Sequence, residues 1–330
     1  MRTSGAASNT VVIVVVLLVA GLFVPLPLFV LAPGSAISVG ERVSFGRGPD
    51  ELSGQLLLTT VRIFRPNALG VAQAWLSPAH EVLTEAEVVP EGVDPEQFEA
   101  AQRDLFRESS EVAAAVGLRR AGEEVEISGG GARVSQLFEG SPAARVLQLD
   151  DVIISVDGEP VELASDLVGT LGVRGSGDEV VLGVRRDGST EEVRLTLATV
   201  EGLDRPGLGV GVTTVDLDLS LPFPVEVDQG EIGGPSAGLM IALTVYDLAE
   251  PGDLTAGRRV AGTGTIDLDG QVGPVGGVDA KVVAARAAGA TVFLVPEYEA
   301  SLAREVSGDD LEVVPVATLD DAVAALAEPR

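Results

Sequence analysis

The chain is 330 residues long, carries a net charge of −28 at a pI of about 4.2, and contains no cysteine and a single histidine. Its length admits two domains, while the missing cysteines exclude disulfides, a thiol nucleophile and cysteine-held metals, and the acidity repels phosphate backbones and so excludes nucleic acid as a partner. His80, in PAHEVL, has no second histidine four residues on, and no GxxxxGK[ST] run occurs, so neither a zinc-protease helix nor a P-loop ATPase is encoded and no metal or cofactor is expected.

Residues 1–10 form a short tail expected on the cytoplasmic side. Residues 11–32 are uncharged, long enough to cross about 30 Å of hydrocarbon, and predict one transmembrane anchor kinked at Pro25 and Pro27. A cleaved signal peptide is the alternative, although the run exceeds a usual h-region and no A-x-A site follows. The body is then expected outside the cell membrane. Residues 33–50 read as a linker.

Residues 51–122 hold a strand at 55–64 and a helix that Asp94-Pro95-Glu96 starts, with proline at its first position and a stripe of Phe98, Ala101, Leu105, Val112 and Val116 running to about Arg120. Residues 123–202 change to short alternating runs broken by EGSP, DGEP, GSGD and RDGS turns, with one helix near 163–171. From residue 203 strands alternate with apolar helices at 236–248, 279–288, 297–306 and 319–327, the last opened by a capping-box-like Thr318 and Asp321. The fold class is α+β.

The segment IGGPSAGLM turns tightly at Gly233, Gly234 and Pro235 and places Ser236 at a helix mouth, where unpaired backbone N–H groups of the Gly234–Ala237 turn could serve as an oxyanion hole. An ordinary serine cap is the structural alternative. A serine nucleophile needs a base. His80 belongs to another segment, and the other candidate is the only lysine of the chain, Lys281, whose 21 fellow basic residues are all arginine. Lysine can give up its proton where arginine in practice cannot. Acting near neutrality requires a drop of about three units from about 10.4, which burial beside Val282, Val283 and Ala284 and an uncharged neighbour such as Thr263 would supply.

IGGPSAGLMIAL, followed by VAGTGTIDLDGQVGPVGGVDAKVVAARAAGATVFLVP, resembles the proteolytic domain of Lon proteases. The resemblance implies a Ser236–Lys281 dyad supported by Thr263, without an ATPase of its own. Gly233 stands where many Lons carry an acidic residue, and Asp228 and Glu231 read as solvated loop charges. RDLFRESSEVAAAVGLRR and GQLLLTTV are similar to the start of the same domain, which would make it discontinuous: 51–122 and 203–330, interrupted by residues 123–202. That insert, from GARVSQLFEGSPAARVLQLDDVIISVDGEPV onward, resembles a PDZ domain of the bacterial protease type, and such domains capture chain ends by strand addition. Gly129, Gly130 and Gly131 are the candidate carboxylate-binding loop.

Together these resemblances imply a membrane-anchored, ATP-independent serine endopeptidase acting on proteins or peptides that offer free C-termini or unfolded segments, with homo-oligomeric assembly expected from its relatives. The alternative is a membrane-tethered PDZ adaptor with an inactive protease-like domain.

Overall fold

The computed structural model describes residues 25–46, 53–89, 94–138, 140–199, 207–250 and 252–327. The chain folds as two compact units, one built from residues up to Glu124 and from Pro222 onward, the other Val125–Leu221.

The first unit begins with β1 (Leu28–Ser38), β2 (Val43–Phe45) and β3 (Gln55–Phe64), then α1 (Ala68–Ala74), β4 (Glu81–Thr84), α2 (Glu85–Val88) and the long α3 (Pro95–Arg120). Residues 1–24, which hold most of the expected anchor, lie outside the described residues. The end of that anchor and the linker after it are corrected: β1 occupies residues 28–38, and Val30 and Ala32 are almost wholly buried. β1 sits between β3 and β4, antiparallel to both. A strand enclosed on both sides reads as a continuous apolar run, which hydropathy alone does not separate from a spanning helix. Pro33-Gly34 is a bulge rather than a linker, because the register shifts there and Ser35 N–H donates to Thr60 Oγ1 at 2.9 Å. Among the described residues no helix is long and apolar enough to cross a membrane.

The second unit runs through β5 (Glu126–Ser128), β6 (Ala132–Leu137), β7 (Val152–Val156), β8 (Glu159–Pro160), α4 (Ala164–Gly172), β9 (Glu179–Arg186), β10 (Ser189–Thr196), β11 (Val210–Thr214) and β12 (Asp218–Ser220). Its main sheet has the order β10-β9-β7-β6-β11 with antiparallel pairs, over a core that includes Val134, Ile153, Leu167, Leu182 and Val184. Buried Asp151 is held by Arg186 through two hydrogen bonds of 2.7 and 2.6 Å. This unit continues past residue 202, because the GLGVGVTTV run supplies β11, the partner of β6.

The first unit resumes with β13 (Val225–Val227), α5 (Gly238–Ala249), β14 (Arg259–Gly262), β15 (Thr265–Ile266), β16 (Val272–Gly273), α6 (Val278–Ala287), β17 (Val292–Pro296), α7 (Ala300–Val306), β18 (Glu312–Val316) and α8 (Leu319–Ala327). Its six-stranded sheet has the order β18-β17-β14-β3-β1-β4, parallel from β18 to β3. Strand alternation sends Leu57, Ala261, Phe293 and Val295 into one core with Val278 and Val282 of α6. The opposite face meets α5, where a side chain added at Gly262 would strike Met240 Sδ at 2.5 Å. Ten of the twelve residues of α5 are buried. Each large apolar side chain among them stabilises the packing by about 2 kcal/mol, so the loop ahead of α5 hangs from a fixed helix.

Candidate active site

Three segments converge on one point. Ser236 lies in the turn before α5, Thr263 follows β14, and Lys281 sits in the first turn of α6. Lys281 Nζ lies 3.0 Å from Ser236 Oγ and 3.0 Å from Thr263 Oγ1. Thr263 is wholly buried and Lys281 is 3% exposed.

Local sequence fixes each position. Gly234 has φ +80° and donates its N–H to the Gln102 carbonyl of α3 at 2.8 Å, while Ser109 Oγ of the same helix donates to the Pro235 carbonyl at 3.1 Å. The serine turn is thus held from α3, a role the helical stripe gave no means of seeing. Gly277, with φ +65°, begins α6, and a Cβ there would stand 3.0 Å from side chains of Leu31 and Val61. Only glycine lets α6 lie so close to β1 and β3, and that approach buries Lys281.

The hydrogen bonds around Thr263 set proton positions. Its hydroxyl lies 3.1 Å from the Ser236 carbonyl oxygen, which can only accept. The threonine proton goes there, so its oxygen accepts an N–H from Lys281. A neutral amine then keeps its lone pair for the Ser236 hydroxyl. Burial lowers the lysine to about 8 from 10.5, an effect the nearby Glu299 carboxylate partly offsets.

Of the candidate oxyanion donors in the turn, Gly234 N–H is committed to Gln102 and Pro235 has none. The N–H groups of Ser236 and Ala237 are the donors left over. Asp228 and Glu231 are exposed, and Asp228 pairs with Arg42 at 3.3 Å. His80 Nδ1 is 2.8 Å from Ser77 Oγ.

In the second unit Gly129–Gly131 do not form an open loop. Gly130 N–H donates to the Val215 carbonyl at 2.7 Å and Gly131 N–H to the Glu162 carbonyl at 3.0 Å. These donors are spent on the fold and form no anion nest. The open feature lies elsewhere: β11 is the last strand of its sheet, and α4 starts beside it through Ala164 N–H to Thr214 Oγ1 at 3.0 Å. The turn before β11 uses its carbonyls, with Leu208 and Gly209 accepting from Ala143 and Phe138 at 3.1 Å each.

Residues 224–328 match the model of the Lon protease (S16) C-terminal proteolytic domain, and residues 107–197 match the PDZ domain model. The chain therefore joins a region that matches the Lon-type proteolytic domain to one that matches the PDZ domain. It is 35% identical over 100 residues to a Lon protease of Roseiflexus castenholzii, a stretch that is 29% of this chain and 12% of that protein. It is 37% identical over 71 residues to a probable periplasmic serine endoprotease, DegP-like, of Ectopseudomonas mendocina, covering 21% of this chain and 15% of the relative. The PDZ domain of an SdrC-like protein from Listeria monocytogenes aligns at 23% identity and a TM-score of 0.24, over 25% of this chain and 86% of that one. The matched stretches are thus a small part of the curated relatives' length.

Proposed function

We propose that the chain is a membrane-anchored, ATP-independent serine endopeptidase with a Ser236–Lys281 dyad and a PDZ domain that binds substrate chain ends. The observation carrying this reading is the buried Lys281 amine within 3.0 Å of both Ser236 Oγ and Thr263 Oγ1. In the reaction, Ser236 Oγ bonds to the scissile carbonyl carbon as its proton passes to Lys281 Nζ. The oxyanion is met by the N–H groups of Ser236 and Ala237. As the C–N bond breaks, the lysine returns that proton to the leaving amine, and water repeats the sequence to release the acyl group. Replacing Ser236 with alanine should abolish cleavage of an unfolded protein, and undiminished cleavage would leave the tethered-adaptor reading in its place.

Chain-end capture is assigned to the open edge of β11 rather than to Gly129–Gly131, because an edge strand offers free backbone groups for strand addition. An ATP-independent enzyme of this kind takes substrates that arrive flexible or are presented by their ends.

Membrane attachment rests on the sequence ahead of β1, which carries no charge from Thr3 to Pro27 and so could supply about 20 spanning residues. Ile63, Phe64, Leu69, Trp75 and Leu76 are exposed in the arm that the chain joins where Leu26 N–H meets the Pro66 carbonyl. Trp75 is 78% exposed and is the only tryptophan. Flotation of the full chain with alkali-washed phosphatidylcholine vesicles tests attachment, and a chain left in the soluble fraction would refute it.

A further inference from the structure

Glu299 is the residue near the dyad that this chemistry leaves unused. It closes a short 3₁₀ turn, Glu297–Glu299, just ahead of α7. Its Oε1 accepts the Val275 N–H at 3.1 Å. Its Oε2 is fully buried and accepts nothing from any described residue. A buried carboxylate oxygen without a donor is costly to keep, by about 1–3 kcal/mol or more, and such a group is expected to serve something nearby.

Val275 lies in the Gly-Pro-Val-Gly-Gly approach to α6, two residues before Gly277, and Lys281 N–H closes its helical bond on the Gly277 carbonyl at 3.0 Å. Glu299 thus holds the segment from which the lysine helix starts. The other charges around α6 are exposed, paired or half-buried. β1 carries none. Arg62 on β3 is exposed, as are Arg304 and Glu305 on α7 and Arg259 on β14. On α6 itself Arg286 pairs with Asp310 at 3.1 Å, and Asp279 is half-buried. Among these groups, Glu299 is the carboxylate whose field reaches the Lys281 amine.

We propose that Glu299 is a positioning and counter-charge residue for Lys281, fixing the start of α6 through Val275 and stabilising the ammonium that Lys281 becomes while Ser236 attacks. The inference rests on the dyad reading above. During acylation the proton leaves Ser236 Oγ as the Oγ–C bond forms, and Lys281 gains a positive charge inside a dry site. A fixed negative charge within electrostatic reach of that ammonium lowers the energy of the state without moving. The charge also holds the resting lysine higher than burial alone would leave it.

The single lysine makes the test direct. In the full chain labelled with [13Cε]lysine, one side-chain resonance reports Lys281 alone, and its midpoint is expected at about 8. Glu299→Gln keeps an acceptor for Val275 and removes the charge. The midpoint should then fall by about half a unit or more, with the acid limb of hydrolysis moving down alongside it and kcat above that limb falling about three- to tenfold. Glu299→Asp, which keeps the charge, should stay closer to the native midpoint. An unmoved midpoint in Glu299→Gln would overturn the proposal and leave Glu299 as a cap for Val275, even if Glu299→Ala were less active. A native midpoint near 10.5 would defeat the neutral-lysine reading itself, and the inference with it.

Discussion

Thr263 gives its hydroxyl proton to the carbonyl oxygen of Ser236 at 3.1 Å, and so can only accept from Lys281. One threonine thereby ties the backbone of Ser236 to the orientation of the Lys281 amine. Thr263→Val, nearly isosteric, would free the lysine to turn its lone pair away from Ser236. We expect kcat to fall about ten- to a hundredfold with little change in KM, since the substrate does not touch this group. Steady-state kinetics on an unfolded protein substrate checks this, and equal losses in kcat and in binding would contradict it.

Hydrolysis should follow the neutral form of Lys281. Burial lowers the amine to about 8, so kcat/KM should rise with pH through a midpoint near that value and drop about tenfold per unit well below it. A profile flat between pH 6 and 9 would remove Lys281 from the role of base.

Substitution of the lysine separates activity from stability. The folded chain holds the amine about 2.5 units below its ordinary 10.5, a strain of about 3 kcal/mol at neutral pH. Between about pH 8 and 10.5 the unfolded chain keeps a proton that the folded chain has lost, so native stability climbs with pH across that window. Lys281→Met should therefore be inactive yet more stable by about 1–2 kcal/mol at pH 7, after the lost hydrogen bonds are counted. That advantage should shrink above pH 8. Lys281→Arg should be inactive and less stable, because its charge cannot be shed. Denaturant titrations at pH 7 and 10.5, beside an activity assay, give both readouts.

Chain-end binding should map to the β11 edge. A short peptide with a free C-terminus is expected to perturb amide resonances of residues 208–214 and of α4, and its amidated counterpart to bind about tenfold more weakly or worse. Perturbation centred on Gly129–Gly131 instead would restore the glycine turn as the recognition loop.

Much of the first unit is legible in the sequence because its signals are local. The strand expected at 55–64 and the helix expected at 319–327 have those bounds in the structure, and Asp94 caps α3 by accepting from Glu96 N–H at 2.9 Å. Thr318 and Asp321 exchange bonds of 2.9 and 3.1 Å as the capping-box spacing implies. Lys281, which comes within 3.0 Å of Ser236, stands out in the sequence because a lone lysine beside a glycine-rich helix start is conspicuous.

The features that the local sequence hides depend on long-range pairing. β1 was masked by its own burial, because an enclosed strand and a membrane span share the same apolar text. β11 lies about seventy residues beyond its partner β6 in sequence, so the run GLGVGV read as the opening of the next domain. The N–H groups of Gly130 and Gly131 are taken by Val215 and Glu162, partners that lie far along the sequence. Gln102 and Glu299 lie in no motif, and Ser109, inside RDLFRESSEVAAAVGLRR, has nothing in its spacing that marks a bond to the serine turn.

The chain leaves for the inserted unit and returns from it along β5 and β12, which pair antiparallel with Glu126 opposite Ser220. Paired strands run about 5 Å apart, so the outgoing and returning ends stand side by side. To the rest of the molecule the whole insert is the equivalent of a hairpin turn. A tight turn could be grafted in its place, or a different module spliced there, without rerouting the first unit. Such a junction would let the proposed protease be re-addressed to new targets by exchange of parts.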